Sequence, residues 1–468
     1  MKRIAIIGGG ISGLSAAFKL EQHRKHGAEL EYVLFESGTH FGGVIRTERV
    51  DDCLIEAGPD SFLTEKPWAA DLCRELGLGD QVIGSNDAER KTYILVNGRL
   101  VPLPDGLMFM VPTRLLPAFS SPLFSWRTKL RMVREWFYRY TPSASESTVA
   151  DFVRRHYGRE MVDRVADPLL AGVYGGSADE LSVAAVLPRF VEMEAQHGSL
   201  TRGMLASKAK REGSASPSLF TSLKNGMHQM VDALLAQIPE SARRVDTPIE
   251  AVKPELRKWL AMNSGRTEEF DAVIMALPSH VSARLIGGAA PQLASDLGAI
   301  RYSSSVIAVF GYDNKVRAAL PPGFGFLVPS AENRRILAAT FAHNKFTNRA
   351  PEDRAVVRCF LGGTRDEGAL QPSDNEIQLM VRQELKELLG ITVEPLFART
   401  YRWKSAMAQY EVGHIARVAR IRDLVSALPG LALAGNAYSG IGIPDCVRSG
   451  SDAATKVVAD LRISDQRG

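Results

Sequence analysis

Six residues near the start carry the first chemical signal. Gly8, Gly9, Gly10, Ile11, Ser12 and Gly13 spell G-x-G-x-x-G directly after the apolar run Ile4-Ala5-Ile6-Ile7. A strand turning through such a loop into a helix can hold a diphosphate. Gly8 makes the tight turn, Gly10 puts no side chain between backbone and pyrophosphate, and Gly13 lets the helix lie against the strand. The helix start adds free N–H groups and the positive end of its dipole. A second apolar run, Glu31–Phe35, ends in Glu36, 23 residues after Gly13. A carboxylate there can accept hydrogen bonds from an adenosine ribose. Taken alone, the loop predicts dinucleotide binding and leaves NAD and FAD both open.

Three further segments could approach a ligand with bare backbone. Ser37 leads to Gly42-Gly43-Val44, with Arg46 near enough in sequence to neutralise a phosphate or a substrate carboxylate. A short strand at Leu54–Glu56 runs into the rigid turn Gly58-Pro59-Asp60-Ser61, followed by Lys66 at the start of a helical stretch over 64–85. Leu431–Ala434 passes through Gly435, Asn436, Gly440, Ile441 and Gly442 into a helix near Ile443. That helix start could stabilise negative charge on a reduced flavin, and Asp445 reads as its cap. A fourth segment, Asp167–Ser182, holds Pro168, Gly172, Val173, Gly175 and Gly176, which should break a helix and admit a flat ligand. No nucleophile–histidine pair and no metal-ligand spacing occurs, so no catalytic side chain and no metal is assigned.

The elements around these segments follow from pattern and size. With 468 residues, 45% of them hydrophobic, two or three domains with large cores are expected. A net charge of +4 gives no reason to expect nucleic acid, and permits an anionic substrate or an acidic membrane surface. Cys53, Cys73, Cys359 and Cys446 stand far apart, as reduced buried thiols of a cytosolic protein would. With a strand expected from residue 3, no signal or transit peptide is expected, and no apolar run is long enough for a spanning helix. Asn97-Gly98 between apolar runs predicts a hairpin over 92–103. Residues 104–140 mix Leu, Met, Phe and Trp with Arg114, Arg127, Lys129, Arg131, Arg134 and Arg139, which suits a helical subdomain and also a membrane-contacting surface. Residues 200–218 read as a basic, serine-rich excursion, and 247–252 and 270–278 as strands. From 282 to 424 strands are expected around one helix, opened by the capping pair Ser373 and Glu376 and stopped at Gly390.

Gly8–Gly13, Glu36 and Gly42-Gly43 through Thr47 together resemble the flavin-dependent amine oxidase superfamily. With GPDSF at 58–62 and GVYGGSADELS at 172–182, the resemblance narrows to the porphyrinogen oxidases of late haem biosynthesis, and it spans essentially the whole chain. It implies non-covalent FAD, with Ile249 at the adenine and Asn436, Ile441, Gly442 and Ile443 at the flavin end. The fold class it implies is α/β (α+β overall). A Rossmann-like FAD domain is expected over 1–80, 219–281 and 425–468. A mixed-sheet substrate domain is expected over 86–104 and 282–424, and a helical, membrane-facing subdomain over 105–218. The implied reaction is six-electron oxidation of a porphyrinogen by O2, giving H2O2. Gly172 and Val173 would form one wall of the substrate pocket, with Lys66 and Arg46 meeting propionates. Two departures stand out. His40 replaces an arginine common two residues before the glycine pair, which removes one phosphate contact. Met108 replaces the propionate-binding arginine of the mitochondrial-type enzymes, which favours coproporphyrinogen III over protoporphyrinogen IX. Another enzyme of the superfamily (an amine oxidase or carotenoid desaturase) and a non-catalytic FAD scaffold stay open as alternatives. So do partners beyond tetrapyrrole and O2: a membrane surface touched from the cytoplasmic side, the next haem-pathway enzyme, and a second copy as homodimer.

Overall fold

The computed structural model describes residues 1–139, 146–209 and 218–463. One sheet has five parallel strands in the order Arg243–Arg244, Leu30–Phe35, Lys2–Ile7, Ala272–Met275, Leu431–Leu433. Apart from the edge strand Arg243–Arg244, its strands are mostly apolar on both faces because both faces are covered. Ile4, Ile6, Leu34 and Ile274 join the core that also holds the helices Ile11–Lys25 and Ile443–Asp460. Ala5, Ile7, Phe35 and Val273 join a second core with Trp259 and Phe270 of a small antiparallel sheet, Ala251–Phe270. Ile7 is level with both Phe35 and Met275. The carboxyl ends of the strands therefore finish together, and the chain leaves them at Gly8, Glu36, Ala276 and Ala434. Open α/β sheets bind ligands at this edge.

A second, seven-stranded sheet runs Phe397–Ala408, Tyr302–Asp313, Arg354–Gly362, Ala338–Phe341, Gly325–Leu327, Thr92–Val96, Arg99–Pro102. It is mixed: Gly325–Leu327 pairs in parallel with Thr92–Val96, and the other pairs are antiparallel. The expected hairpin is there, with Asn97 and Gly98 both at positive φ as its turn requires. So is the capped helix Asp374–Leu389, with the reciprocal Ser373–Glu376 bonds and left-handed Gly390.

Several expectations need correction. Residues 64–85 are not one helix. Their α-helix is Pro67–Glu75 alone, ended by the chain reversal at Gly77 and followed by the 3-10 turn Gly79–Gln81, while Phe62–Leu63 and Val82–Gly84 pair on either side of the strand Phe220–Leu223. Residues 247–252 are not a strand of the parallel sheet: Arg243–Arg244 joins it instead, and Ala251–Glu255 belongs to the small antiparallel sheet. The stretch 282–424 holds more than one helix, since Pro291–Gly298 and His414–Ser426 are helices that pack against each other. Pro168 and Gly172 do not break a helix. Asp167–Tyr174 is helical and continues directly from the π-helical turn Val162–Ala166, so Pro168 follows a local change in helical pairing, and Gly175 in the left-handed region ends the run. Leu200–Ala209 is helical too, and the rest of the expected excursion, 210–217, lies outside the described residues, as does Tyr140 at the end of the apolar–basic stretch.

The helices between the hairpin and Gly198 bury Leu123, Met132, Phe152 and Met161, which extend the core that also holds Ala5 and Ile7. His156 is wholly buried there. Its Nδ1 lies 3.0 Å from Glu135 and its Nε2 3.0 Å from Glu194. On the opposite face of the helix Trp126–Glu135, apolar side chains point outward. Trp126, Leu130, Val133 and Phe137 are spaced four, three and four residues apart and form a single exposed stripe, flanked by Leu116 and Phe119. Among the described residues no helix is long and apolar enough to cross a membrane.

Candidate FAD and substrate site

The glycine loop separates its duties by position. A Cβ at Gly8 would stand 2.3 Å from the Ala276 carbonyl oxygen, and one at Gly13 would stand 1.8 Å from that of Gly8. Both contacts bring strand and helix together. A Cβ at Gly10 would meet nothing within 4 Å. Gly10 thus faces open space, although no packing demands a glycine there. It is also the N-cap of Ile11–Lys25, whose first turn has no side-chain cap and no acidic residue. That leaves helix N–H groups and dipole for an anion.

The other segments gather around this loop. Gly42 N donates to Gly9 O at 2.8 Å, and Gly43 lies against Gly10, where a Cβ would be 3.3 Å from the Gly10 Cα. The Glu36 carboxylate accepts from Gly9 N and Gly38 N, both at 2.7 Å, which fixes its orientation and leaves lone pairs for a hydroxyl. Asp246 N and Thr247 N donate to Gly38 O and Glu36 O, so the chain leading to Ile249 runs alongside the end of this strand. Gly58 packs on Val44 so closely that a Cβ would come within 1.8 Å of the Val44 carbonyl oxygen. At the other end, Gly450 of the C-terminal helix crosses the first helix at Ser12, with 2.1 Å to the Ser12 oxygen for any added Cβ. The start of that helix, with Gly442 as an unassisted N-cap, is thereby carried to the same place.

The helix Asp167–Tyr174 is tied to this region at both ends. Asp167 pairs with Arg365 at 2.5 Å and accepts Ala178 N. The Tyr174 carbonyl accepts Gln409 Nε2 at 2.8 Å, and the Tyr174 ring lies 6.1 Å from that of Tyr410. Tyr410 donates to Asn436 O at 2.7 Å and accepts Gly440 N at 2.8 Å, which joins the end of the seven-stranded sheet to the C-terminal glycine loop. Gly172 meets only Leu327, and Val173 is 54% exposed despite being apolar. Nothing in the sequence marks Gln409 or Tyr410, because each acts through a partner far away in the chain.

Asp445 is not a helix cap. It accepts Lys66 Nζ at 2.6 Å, is nearly buried, and presses on Gly440 where a Cβ would come within 2.3 Å. Arg46 is bound to Glu48 at 2.6 Å. Another charged group lies behind the Gly58–Ser61 turn. Asp60 accepts Lys345 Nζ at 2.9 Å and forms an ion pair with Arg358 Nη1 at 3.1 Å, and Arg358 Nη2 donates to Gly58 O at 2.6 Å. Burial alone would raise the Asp60 carboxyl, but Lys345 and Arg358 hold it well below the usual carboxylate range. Arg349 stands 3.8 Å from Glu56 and donates to Ser222 Oγ at 2.6 Å.

A dinucleotide cradle with an open central glycine and two uncapped helix starts is the geometry a flavin nucleotide needs. The sequence model for flavin-containing amine oxidoreductases matches residues 11–458. The chain belongs to that family. A flavin in a dinucleotide cradle is FAD, and the residues present fit it. Coproporphyrinogen III oxidase of Bacillus subtilis is 32% identical over 473 residues, 98% of either chain. The mitochondrial protoporphyrinogen oxidase of Nicotiana tabacum is 29% identical, covering 98% of this chain and 95% of its own. A crystal structure from Exiguobacterium sp. 255-15, provisionally named protoporphyrinogen oxidase, superposes with a TM-score of 0.88 at 30% identity, over 98% of this chain and 99% of that one. Cyclohexylamine oxidase from Brevibacterium oxydans, at 17% identity and TM-score 0.69 over 98% and 99% of the two chains, shares the fold. The protein is an FAD oxidoreductase.

Proposed function

We propose that this oxidoreductase converts a porphyrinogen to its porphyrin in haem synthesis, coproporphyrinogen III in preference to protoporphyrinogen IX. The substrate gives up six electrons and six protons, and three O2 accept them as three H2O2. The reading is supported by the surface of the helix Asp167–Tyr174, where Gly172 is bare and Val173 is exposed. A bare helix surface with one exposed apolar side chain suits a large flat ring, and Gln409 and Tyr410 hold it against the glycine loop at 436–442. When bound, FAD supplies the two-electron acceptor. The chain's part is mainly to orient the ring. Tyr174 and Tyr410 are both pushed up by burial, so their phenols stay protonated and act as donors, not bases. Pyrrole N–H groups can shed protons by tautomerisation, so no side-chain base is needed.

In this reading FAD rests on Gly8–Gly13, Glu36, Ser37, Gly43, Val44, Gly58–Ser61, Ile249, Asn436 and Ile441–Ile443. Lys66 and Arg46 reach propionates only by sharing Asp445 and Glu48. The coproporphyrinogen preference rests on Met108 and on the B. subtilis relative's name. The deciding experiment gives FAD-loaded protein each porphyrinogen under air and follows porphyrin fluorescence and peroxide. Faster porphyrin formation from coproporphyrinogen III is expected. Rates no higher than the protein-free control for both substrates would end the enzyme reading.

Peripheral membrane contact is proposed from the outward stripe. Trp126 is 66% and Phe137 74% exposed, with Arg127, Arg131 and Arg134 beside them, which matches an anionic bilayer. Co-sedimentation with phosphatidylserine vesicles is expected. Serine at both Trp126 and Phe137 should weaken it about tenfold or more, since each buried aromatic contributes roughly 1.5–3 kcal/mol. Equal pelleting of the variant would remove the stripe from consideration.

A further inference from the structure

Three cations and two carboxylates gather where the seven-stranded sheet meets the Gly58–Ser61 turn: Arg349, Arg358 and Glu56 are buried, and Lys345 and Asp60 are partly buried beside them. With all five ionised the group carries one positive charge in excess. The cations' other partners are uncharged: rings, backbone carbonyls and the hydroxyls of Ser61 and Ser222. Lys345 lies 4.6 Å from the Phe220 ring centre, and Arg358 lies 5.2 Å from that of Phe360. The Nε atoms of Arg349 and Arg358 are buried without hydrogen-bond partners among the described residues. An uncancelled charge away from water costs stability, so it calls for a compensating negative charge.

Such a charge arises at the cofactor. Two-electron reduction of the flavin with uptake of one proton adds one negative charge to its ring. The turn bearing Asp60 backs onto Val44, beside Gly43 and Gly10. We propose that Lys345, together with Arg358, is a positioning residue that holds the Gly58–Ser61 turn and raises the reduction potential of FAD through this excess charge. This goes beyond the substrate reading, since it concerns the cofactor whatever the ring oxidised.

Spectroelectrochemical titration of the FAD-loaded protein tests it. Lys345→Met should lower the midpoint potential by about 30 mV or more, a tenfold shift of a two-electron equilibrium. Asp60→Asn should raise it, because it removes the opposite charge. The double variant should return close to the parent value, and Lys345→Arg should keep it. A role in folding alone predicts no such opposition of sign. Shifts in the same direction for Lys345→Met and Asp60→Asn, or no shift in either, would overturn the proposal. If Lys345→Met fails to retain FAD, Arg358→Gln must show the same downward shift. Loss of FAD from both would also overturn it. No porphyrinogen enters the measurement, so failure of the substrate assay leaves this test standing.

Discussion

Alanine at Gly10 is expected to cost the apoprotein no more than about 1 kcal/mol and to cost at least tenfold in FAD affinity, whereas alanine at Gly13 should damage both severely. The two glycines sit three residues apart in one loop, yet their surroundings differ. A Cβ at Gly10 meets no protein atom within 4 Å, and its φ of −73° suits any residue. As an N-cap, Gly to Ala costs on the order of a few tenths to 1 kcal/mol. A methyl group there occupies only the space toward which the loop opens. At Gly13 the same methyl would lie 1.8 Å from a backbone oxygen, so strand and helix must separate, at a cost of roughly 1–3 kcal/mol or more. Thermal melting of FAD-stripped protein and FAD titration by flavin fluorescence give the two readouts. If the Gly10 variant bound FAD as tightly as the parent, the loop would not be the diphosphate cradle.

That contrast also shows what was legible beforehand. Local signals suffice where local physics decides. The strand–glycine–helix at Ile4–Gly13, the Asn97-Gly98 hairpin and the Ser373 cap each depend on residues within one turn or one loop. Errors arose where distant packing decides. Pro168 and Gly172 argue against a helix by propensity, but anchorage of Asp167 by Arg365 and of Tyr174 by Gln409 holds it. Asp445 stands where a cap belongs, yet Lys66, 379 positions earlier, takes its carboxylate. The charged cluster around Asp60 draws on residues from Glu56 to Arg358, and nothing in their separate neighbourhoods marks them as one group. Glycine loops could be found from sequence because backbone needs are local. The ion pairs that orient those loops could not.

Replacing His156 with leucine is expected to lower stability by roughly 3–5 kcal/mol, the cost of leaving buried charge without its partner. Glu135 also accepts Ser199 Oγ, Leu200 N and Thr201 N, so it would stay fixed in place after losing His156. Glu194 would lose its Nε2 contact as well. Glutamine, which can still donate, should recover part of the loss. The pH dependence follows from the same geometry. Burial opposes charge on His156, but hydrogen bonds from its ring to Glu135 and Glu194 outweigh burial and raise its pKa above 6.5. A raised folded-state value means that the contribution is complete below about pH 6.5 and disappears as pH rises through the folded value. Burial likewise opposes charge on Glu135, and the bond from His156 with the others nevertheless lowers its pKa below 4.5. Its contribution is present above about pH 4.5 and is lost as pH falls through the folded value. Between these limits the helices of residues 126–209 should be most stable. Urea unfolding of parent and His156→Leu at pH 5.5 and pH 9 checks both signs. The difference between them should be large at pH 5.5 and smaller at pH 9, and a gap that widened with pH would mean that the imidazole is held neutral.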